Sequence, residues 1–182
     1  FEGHEAVQSL LHNSPCYGNN DAYADAIGTA VERHTLDFTE TSSTTLGVYI
    51  DTRYVPVPAH VAFGRVVSAT PNGRNAWTPL SDGTSASHGA DVNGPTGVLL
   101  SNVATKNWDS KYRASRLLNL KFTPKSVEGD AGTRNMINLI RSFVDLKLWH
   151  LQFNVVNAET LIAAQKDPQK YSNLIVRVAG YS

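Results

Sequence analysis

The sequence holds a single cysteine, Cys16, among 182 residues. That excludes a disulfide framework within the chain and suits a reducing compartment. Net charge is lacking too: 16 Lys+Arg stand against 16 Asp+Glu, and the pI is about 7.2. A binder of nucleic acid or another polyanion carries a basic footprint, so that class is excluded. No apolar run approaches the roughly 20 residues of a membrane span. No basic stretch followed by an apolar one gives the pattern of a signal peptide. Repeats, low-complexity tracts and linkers are missing as well. What is present, 41% hydrophobic and 18% charged residues, is the balance of a globular domain with its own core. The chain starts at Phe1 rather than Met and stops at Ser182 after an apolar run, so a piece of a larger protein is the expectation.

Common chemical signatures are also lacking. There is no Gly-rich phosphate loop ending in Gly-Lys-Ser/Thr and no Gly-x-Gly-x-x-Gly. There is no Gly-x-Ser-x-Gly elbow. The six histidines form no His-Glu-x-x-His and meet no paired cysteines, so no metal site is expected. Asp21 and Asp25, one helical turn apart, read as a solvated or capping face. His150 reads as a satisfied, partly buried histidine, and Cys16 as a small buried hydrophobe.

Periodicity supplies an outline. Residues 1–34 are predicted helical, broken at Asn13-Ser14-Pro15, with Asn20 or Asp21 capping the second segment. Residues 35–45, rich in Thr and Ser, read as a loop. Leu46–Ile50 and Val61–Ala69 read as strands, and Val55-Pro56-Val57-Pro58 as an extended connection. Thr70-Pro71-Asn72-Gly73-Arg74 is a turn. The small, polar run from Leu80 to Asp91 is long for a plain connection, and such loops are functional or disordered. A helix starts near Gly94-Pro95-Thr96. Gly132–Leu146 is an amphipathic helix, Leu151–Val156 a strand, Ala158–Gln165 a short helix and Leu174–Val178 a last strand. Helices and strands alternate, which gives an α/β class.

The motif that stands out is terminal. Arg177-Val178-Ala179-Gly180-Tyr181-Ser182 resembles the radical-bearing motif of the glycyl radical enzymes, Arg-Val-Ser/Ala-Gly-Tyr. Further blocks resemble the same family in the same order. They are Tyr17-Gly18-Asn19-Asn20-Asp21, Pro71-Asn72-Gly73-Arg74 with Pro79–Gly83, Asn93-Gly94-Pro95-Thr96, and Gln152–Val156 followed by Glu159-Thr160-Leu161. The resemblance is to the branch of dehydratases, C–N and C–S lyases and aryl-acetate decarboxylases rather than to pyruvate formate-lyase itself.

The resemblance implies the C-terminal part of a ten-stranded α/β barrel. Residues 1–130 would form a second-half barrel segment and 131–182 the glycine radical domain, with the radical loop at its end. It implies that Gly180 stores a backbone radical. A Cα radical is stabilised by the amide nitrogen and carbonyl when the centre is planar, and glycine has no side chain to clash on flattening. Arg177 and Tyr181 would support the radical loop. The family passes the radical to a cysteine in a Gly-Cys-x-Glu motif, and that thiyl takes hydrogen from the substrate. Cys16 follows Pro15 and has Gly18, not Glu, two positions on, so the thiyl cysteine lies outside this chain. Ser85, Ala86 and Ser87 are the substrate-side candidates, Ala86 standing where relatives often have proline.

No permanently bound cofactor is implied. The radical would be installed by an iron–sulfur S-adenosylmethionine activating enzyme. The remaining partners would be the N-terminal remainder of the subunit, a second copy in a homodimer, and a small-molecule substrate, in the cytoplasm, with neither nucleic acid nor membrane. The alternative is a free-standing spare-part subunit that restores the radical of a damaged enzyme. A non-enzymatic α/β domain with a coincidental Gly-Tyr end is the third reading.

Overall fold

The computed structural model describes residues 2–54, 59–106, 113–174 and 176, with residues 113–115 described for their backbone alone. In chain order come α1 (Glu5–His12), α2 (Ala22–Leu46), β1 (Thr52–Tyr54), α3 (Ala59–Val66) and α4 (Gly94–Ala104). Then follow β2 (Arg113–Phe122), a 3-10 turn (Pro124–Val127), α5 (Gly129–Asp145), β3 (His150–Val155) and α6 (Ala158–Lys166). The three strands form one sheet in the order β1-β2-β3, and both pairings are parallel. Parallel neighbours need crossover helices, and the chain supplies them, so the α/β expectation holds.

The core lies where α4 and α5 cover β2 and β3. Val98 and Leu99 of α4, Leu118 and Leu120 of β2, and Leu139 of α5 are buried together. Phe122 and Phe153 pack beside them, ring centroids 5.8 Å apart and edge to face. The β2–β3 register runs from Leu117↔His150 to Phe122↔Val155 without a bulge. The β1–β2 register shifts between Thr52 and Tyr54.

Several sequence expectations are corrected. Residues 35–45 are helical, because Thr39 and Ser43 lie on the buried face of α2 rather than in a loop. Thr29, Thr35 and Thr39 each donate to the carbonyl one turn back. Ser43 Oγ accepts from Ile50 N at 2.9 Å, and Thr39 Oγ1 meets Thr52 Oγ1 at 2.8 Å. Leu46–Ile50 is not a strand: Gly47 ends α2 in the left-handed region at φ 66°, and Val48 and Tyr49 are exposed. The strand expected at Val61–Ala69 is α3 over most of its length, since Gly64 lets this helix lie on the Thr78–Pro79 backbone. A whole strand, β2, was not anticipated. His150 is exposed at the start of β3, not partly buried.

The caps do follow the sequence. Asp21 caps α2, accepting from Tyr23 N and Ala24 N. Asn157 caps α6 through Thr160 N at 2.8 Å. Residues Val55–Pro58 lie outside the described residues. So do Ile175 and every residue from Arg177 onward, and with them most of the expected last strand.

α2 is two-sided in an unusual sense. Its inner face carries Asp25, Glu32, Thr39 and Ser43 beside Leu36. Its outer face exposes Tyr23, Ile27, Val31 and Phe38. Polar inside and apolar outside is the reverse of a surface helix.

Candidate functional site

The segment from Val67 to Asn93 carries no helix or strand, and side chains fix it at four points. Arg74 forms the first. Its guanidinium donates to Val67 O, Ser68 O, Asn75 O and Thr78 O. A single planar donor fork thereby closes the turn after α3. Asp82 forms the second: Asn119 Nδ2 of β2 donates to its Oδ2 at 2.9 Å, and His60 Nδ1 of α3 lies 3.8 Å from Oδ1. At the third, Thr84 donates through N (3.3 Å) and Oγ1 (2.9 Å) to Leu117 O. Asn102 Nδ2 of α4 donates to Thr84 O at 3.1 Å.

The fourth point is the turn between α1 and α2. Asn19 Nδ2 donates to Ala90 O and to Cys16 O, and Asn19 Oδ1 accepts from Asn93 N. Gly18 sits at φ +98°, and a Cβ there would lie 2.7 Å from Ala86 Cβ. Glycine is required on both counts: the backbone is left-handed and the space is taken.

Together these segments border a cavity of about 950 Å³. Its walls include His12, Cys16, Arg74, Ser81, Ser87 and His88. Of the three substrate-side candidates, Ser87 lines it, its Oγ 3.1 Å from Ser81 Oγ. Ala86 turns to Gly18. Ser85 Oγ is buried without a hydrogen-bond partner among the described residues. Cys16 is half-buried at the rim rather than fully enclosed, its thiol donating to Ser14 O at 3.2 Å. Among the described residues, no group of three or more His, Cys, Asp or Glu is placed to hold a metal ion.

Behind this wall lies a buried polar unit that sequence reading missed. Ser101, fully buried in α4, accepts from Gly18 N (3.2 Å) and Asn20 N (2.9 Å) and donates to Asp25 Oδ2 (3.1 Å). Burial raises the Asp25 carboxyl above its ordinary range, while the Ser101 hydroxyl pulls it down. Arg116 of β2 donates to Thr105 O and Oγ1 and lies 3.6 Å from Glu32. Its guanidinium stacks 5.3 Å from the Tyr54 ring centre. Burial foremost, with Glu32 beside it, pushes the Tyr54 hydroxyl far up, and burial also raises Tyr17. The one signal in the sequence was Ser101-Asn102 inside an otherwise apolar helix. Asp25, read as a solvated or capping position, is buried; only Asp21 caps.

Gly180, Arg177 and Tyr181 lie outside the described residues. The family itself is shown by comparison with other proteins. The glycine radical family model matches residues 80–182, more than half of the chain. The chain belongs to the glycine radical family. The pyruvate formate lyase-like model matches residues 1–64.

Among curated glycyl radical relatives, the isethionate sulfite-lyase of Oleidesulfovibrio alaskensis is 63% identical over 182 residues. That match takes in 100% of this chain and 22% of the relative. The trans-4-hydroxy-L-proline dehydratase of Clostridioides difficile is 40% identical, across 100% of this chain and 23% of that one. Among solved structures, the glycerol-bound B12-independent glycerol dehydratase from Clostridium butyricum superposes with a TM-score of 0.88 at 38% identity. The superposition covers 100% of this chain and 23% of that enzyme. The architecture is therefore part of the glycyl radical enzyme barrel, and the chain spans about a fifth of the length of the curated relatives it matches. Among the described residues, no helix is long and apolar enough to cross a membrane.

Proposed function

We propose that this chain is the radical-storing part of a glycyl radical C–S lyase that splits a small 2-hydroxyalkanesulfonate. One observation carries the choice within the family. Identity to the isethionate sulfite-lyase is 63%, against 40% to the hydroxyproline dehydratase, over the same full span of this chain. The Ser87–Ala90 wall and its cavity supply a place for a small polar substrate, with Ser87 able to donate or accept a hydrogen bond.

In this reading Gly180 holds the resting radical, with Arg177 and Tyr181 supporting its loop in the 131–182 domain. An iron–sulfur S-adenosylmethionine activating enzyme removes hydrogen from Gly180 Cα. The radical then passes to a cysteine contributed by the N-terminal remainder of the subunit. That thiyl takes a hydrogen atom from the hydroxyl-bearing carbon of the substrate. The neighbouring C–S bond breaks and sulfite leaves. The proton of the hydroxyl is given up, and the resulting carbonyl-stabilised carbon radical takes hydrogen back from the thiol. The balance is one hydroxyethanesulfonate to one aldehyde and one hydrogen sulfite, with the thiyl regenerated. Ser85, Ala86 and Ser87 serve the substrate side: Ser87 through the cavity, and Ser85 and Ala86 by fixing the loop that carries it. The active enzyme is a cytoplasmic homodimer.

The test uses the intact subunit, activated anaerobically. Hydroxyethanesulfonate is expected to yield sulfite and aldehyde in equal amounts. A radical-bearing enzyme that releases no sulfite yet dehydrates a diol or hydroxyproline overturns the assignment.

A further inference from the structure

The lyase reading makes the Gly83–His88 loop part of the substrate wall; what holds that wall in place is a separate question, and the following rests on that reading. Asn19 lies between α1 and α2, 71 residues from Ala90 in sequence. Both the amide nitrogen and the oxygen of its carboxamide are engaged. Nδ2 donates to Ala90 O at 2.6 Å and to Cys16 O at 3.1 Å, and Oδ1 accepts from Asn93 N at 3.0 Å. Asn93 Nδ2 returns a bond to Asn19 O at 3.0 Å. Cys16 and Ala90 line the same cavity, so one side chain ties two of its walls together.

The neighbouring groups leave this tie no slack. Gly18 touches Ala86 with no room for a Cβ. On the other side, Ser101 Oγ accepts from Gly18 N and Asn20 N and anchors the turn to α4. The turn is thus held from below by α4 and holds the loop above it.

We infer that Asn19 is the positioning residue of the substrate-facing loop: it sets the distance between the Cys16 wall and the Ser87–Ala90 wall. A loop displaced by an ångström loses its grip on a small substrate more than it loses the stored radical. Asn19→Asp is the sharp variant. It keeps the shape but has no N–H to give, and it turns a carboxylate oxygen toward the carbonyls of Ala90 and Cys16.

The experiment uses the intact, anaerobically activated enzyme and hydroxyethanesulfonate. Asn19→Asp is expected to raise KM about tenfold, the scale of one lost hydrogen-bond set with its partners left unpaired. The electron paramagnetic resonance signal per subunit stays at the wild-type value. Asn93→Ser, which removes only the returned bond, raises KM about threefold. Hydrogen exchange of the 85–91 peptide accelerates in both variants. A KM within about twofold of wild type in a folded, radical-bearing Asn19→Asp enzyme overturns the inference. If that variant does not fold, Asn93→Ser decides alone: unchanged KM with unchanged exchange of 85–91 overturns it. Should the wild type carry its radical but release no sulfite, the lyase reading has failed. The Asn19 variants are then read on whichever substrate the enzyme turns over.

Discussion

Gly64 of α3 lies flat against the backbone at Thr78. A Cβ on Gly64 would stand 2.7 Å from Pro79 Cα and collide with the Thr78 carbonyl oxygen. Leu80 N donates to His60 O at 3.1 Å on the same side. α3 and the loop therefore share one backbone-to-backbone seam. Gly64→Ala is expected to cost about 1–3 kcal/mol by overpacking, read as a lower unfolding midpoint. Helix propensity alone would favour alanine by about 1 kcal/mol. A stabilised variant would show that the seam yields freely.

Ser101→Ala tests the buried polar unit. The change removes one acceptor for two N–H groups and one donor to Asp25. Leaving these groups buried and unpaired costs about 2–3 kcal/mol, measurable by denaturant titration. A loss below about 0.5 kcal/mol, the level of an ordinary surface substitution, would count against the arrangement.

Asp25 gives a pH dependence of defined sign. Its carboxyl is raised in the fold, chiefly by burial, so the native state binds the proton more tightly than the unfolded chain does. Stability contributed here is greatest below the ordinary value of 3.8. It falls as pH rises through the elevated native value and is flat above it. Asp25→Asn is expected to remove that part of the slope. Denaturant midpoints collected from acid to neutral pH check this, and an unchanged slope in the variant contradicts it.

Gly180→Ala is expected to abolish the doublet electron paramagnetic resonance signal of the activated subunit. Air should cut the radical-bearing wild-type chain at Gly180 and leave the variant intact. Mass spectrometry of the fragments reads the cut position. A persistent signal in the variant would place the radical elsewhere.

The outer face of α2 predicts the behaviour of residues 1–182 expressed alone. With Tyr23, Ile27, Val31 and Phe38 in solvent, the isolated chain is expected to self-associate. Ile27→Lys with Phe38→Lys should lower its mass in sedimentation. A monodisperse monomer that unfolds cooperatively without these changes would contradict the expectation.

Several elements whose apolar residues face the core were legible in the sequence. α5 shows Met136, Leu139 and Phe143 at helical spacing, and β3 alternates Leu151 and Phe153 toward that core. α4 begins at the Gly94-Pro95 signal. The second half of α2 was not legible, because beside Leu36 its buried positions are Thr39 and Ser43, which usually mark loops, and their hydroxyls are satisfied by carbonyls one turn back or by the next segment. β2 hid although its Leu118 and Leu120 face the core, because Arg116 and Asn119, which meet polar partners, interrupt its apolar pattern. Part of the site was readable as motif, since the Pro71–Arg74 block lines the cavity and Asn19 of the Tyr17–Asp21 block bonds to Cys16 and Ala90 on its walls. What a motif does not disclose is the wiring. Arg74 is a hub for four carbonyls, and Asn19 spans two walls.

Both ladders of the sheet are parallel, and that bears on how the chain comes together in time. Leu117 pairs with His150, and Thr52 pairs with Arg113, so each ladder closes a loop of dozens of residues before its first hydrogen bond forms. Loop-closure entropy is met ahead of any pairing, which slows such topologies. α5 is local and is expected to form early, its apolar face then packing on α4, β2 and β3. The sheet is thus expected to assemble late, around helices already made. The Asn19 tie joins residues farther apart in sequence than the paired ends of either ladder, so it is expected to be among the last contacts to close.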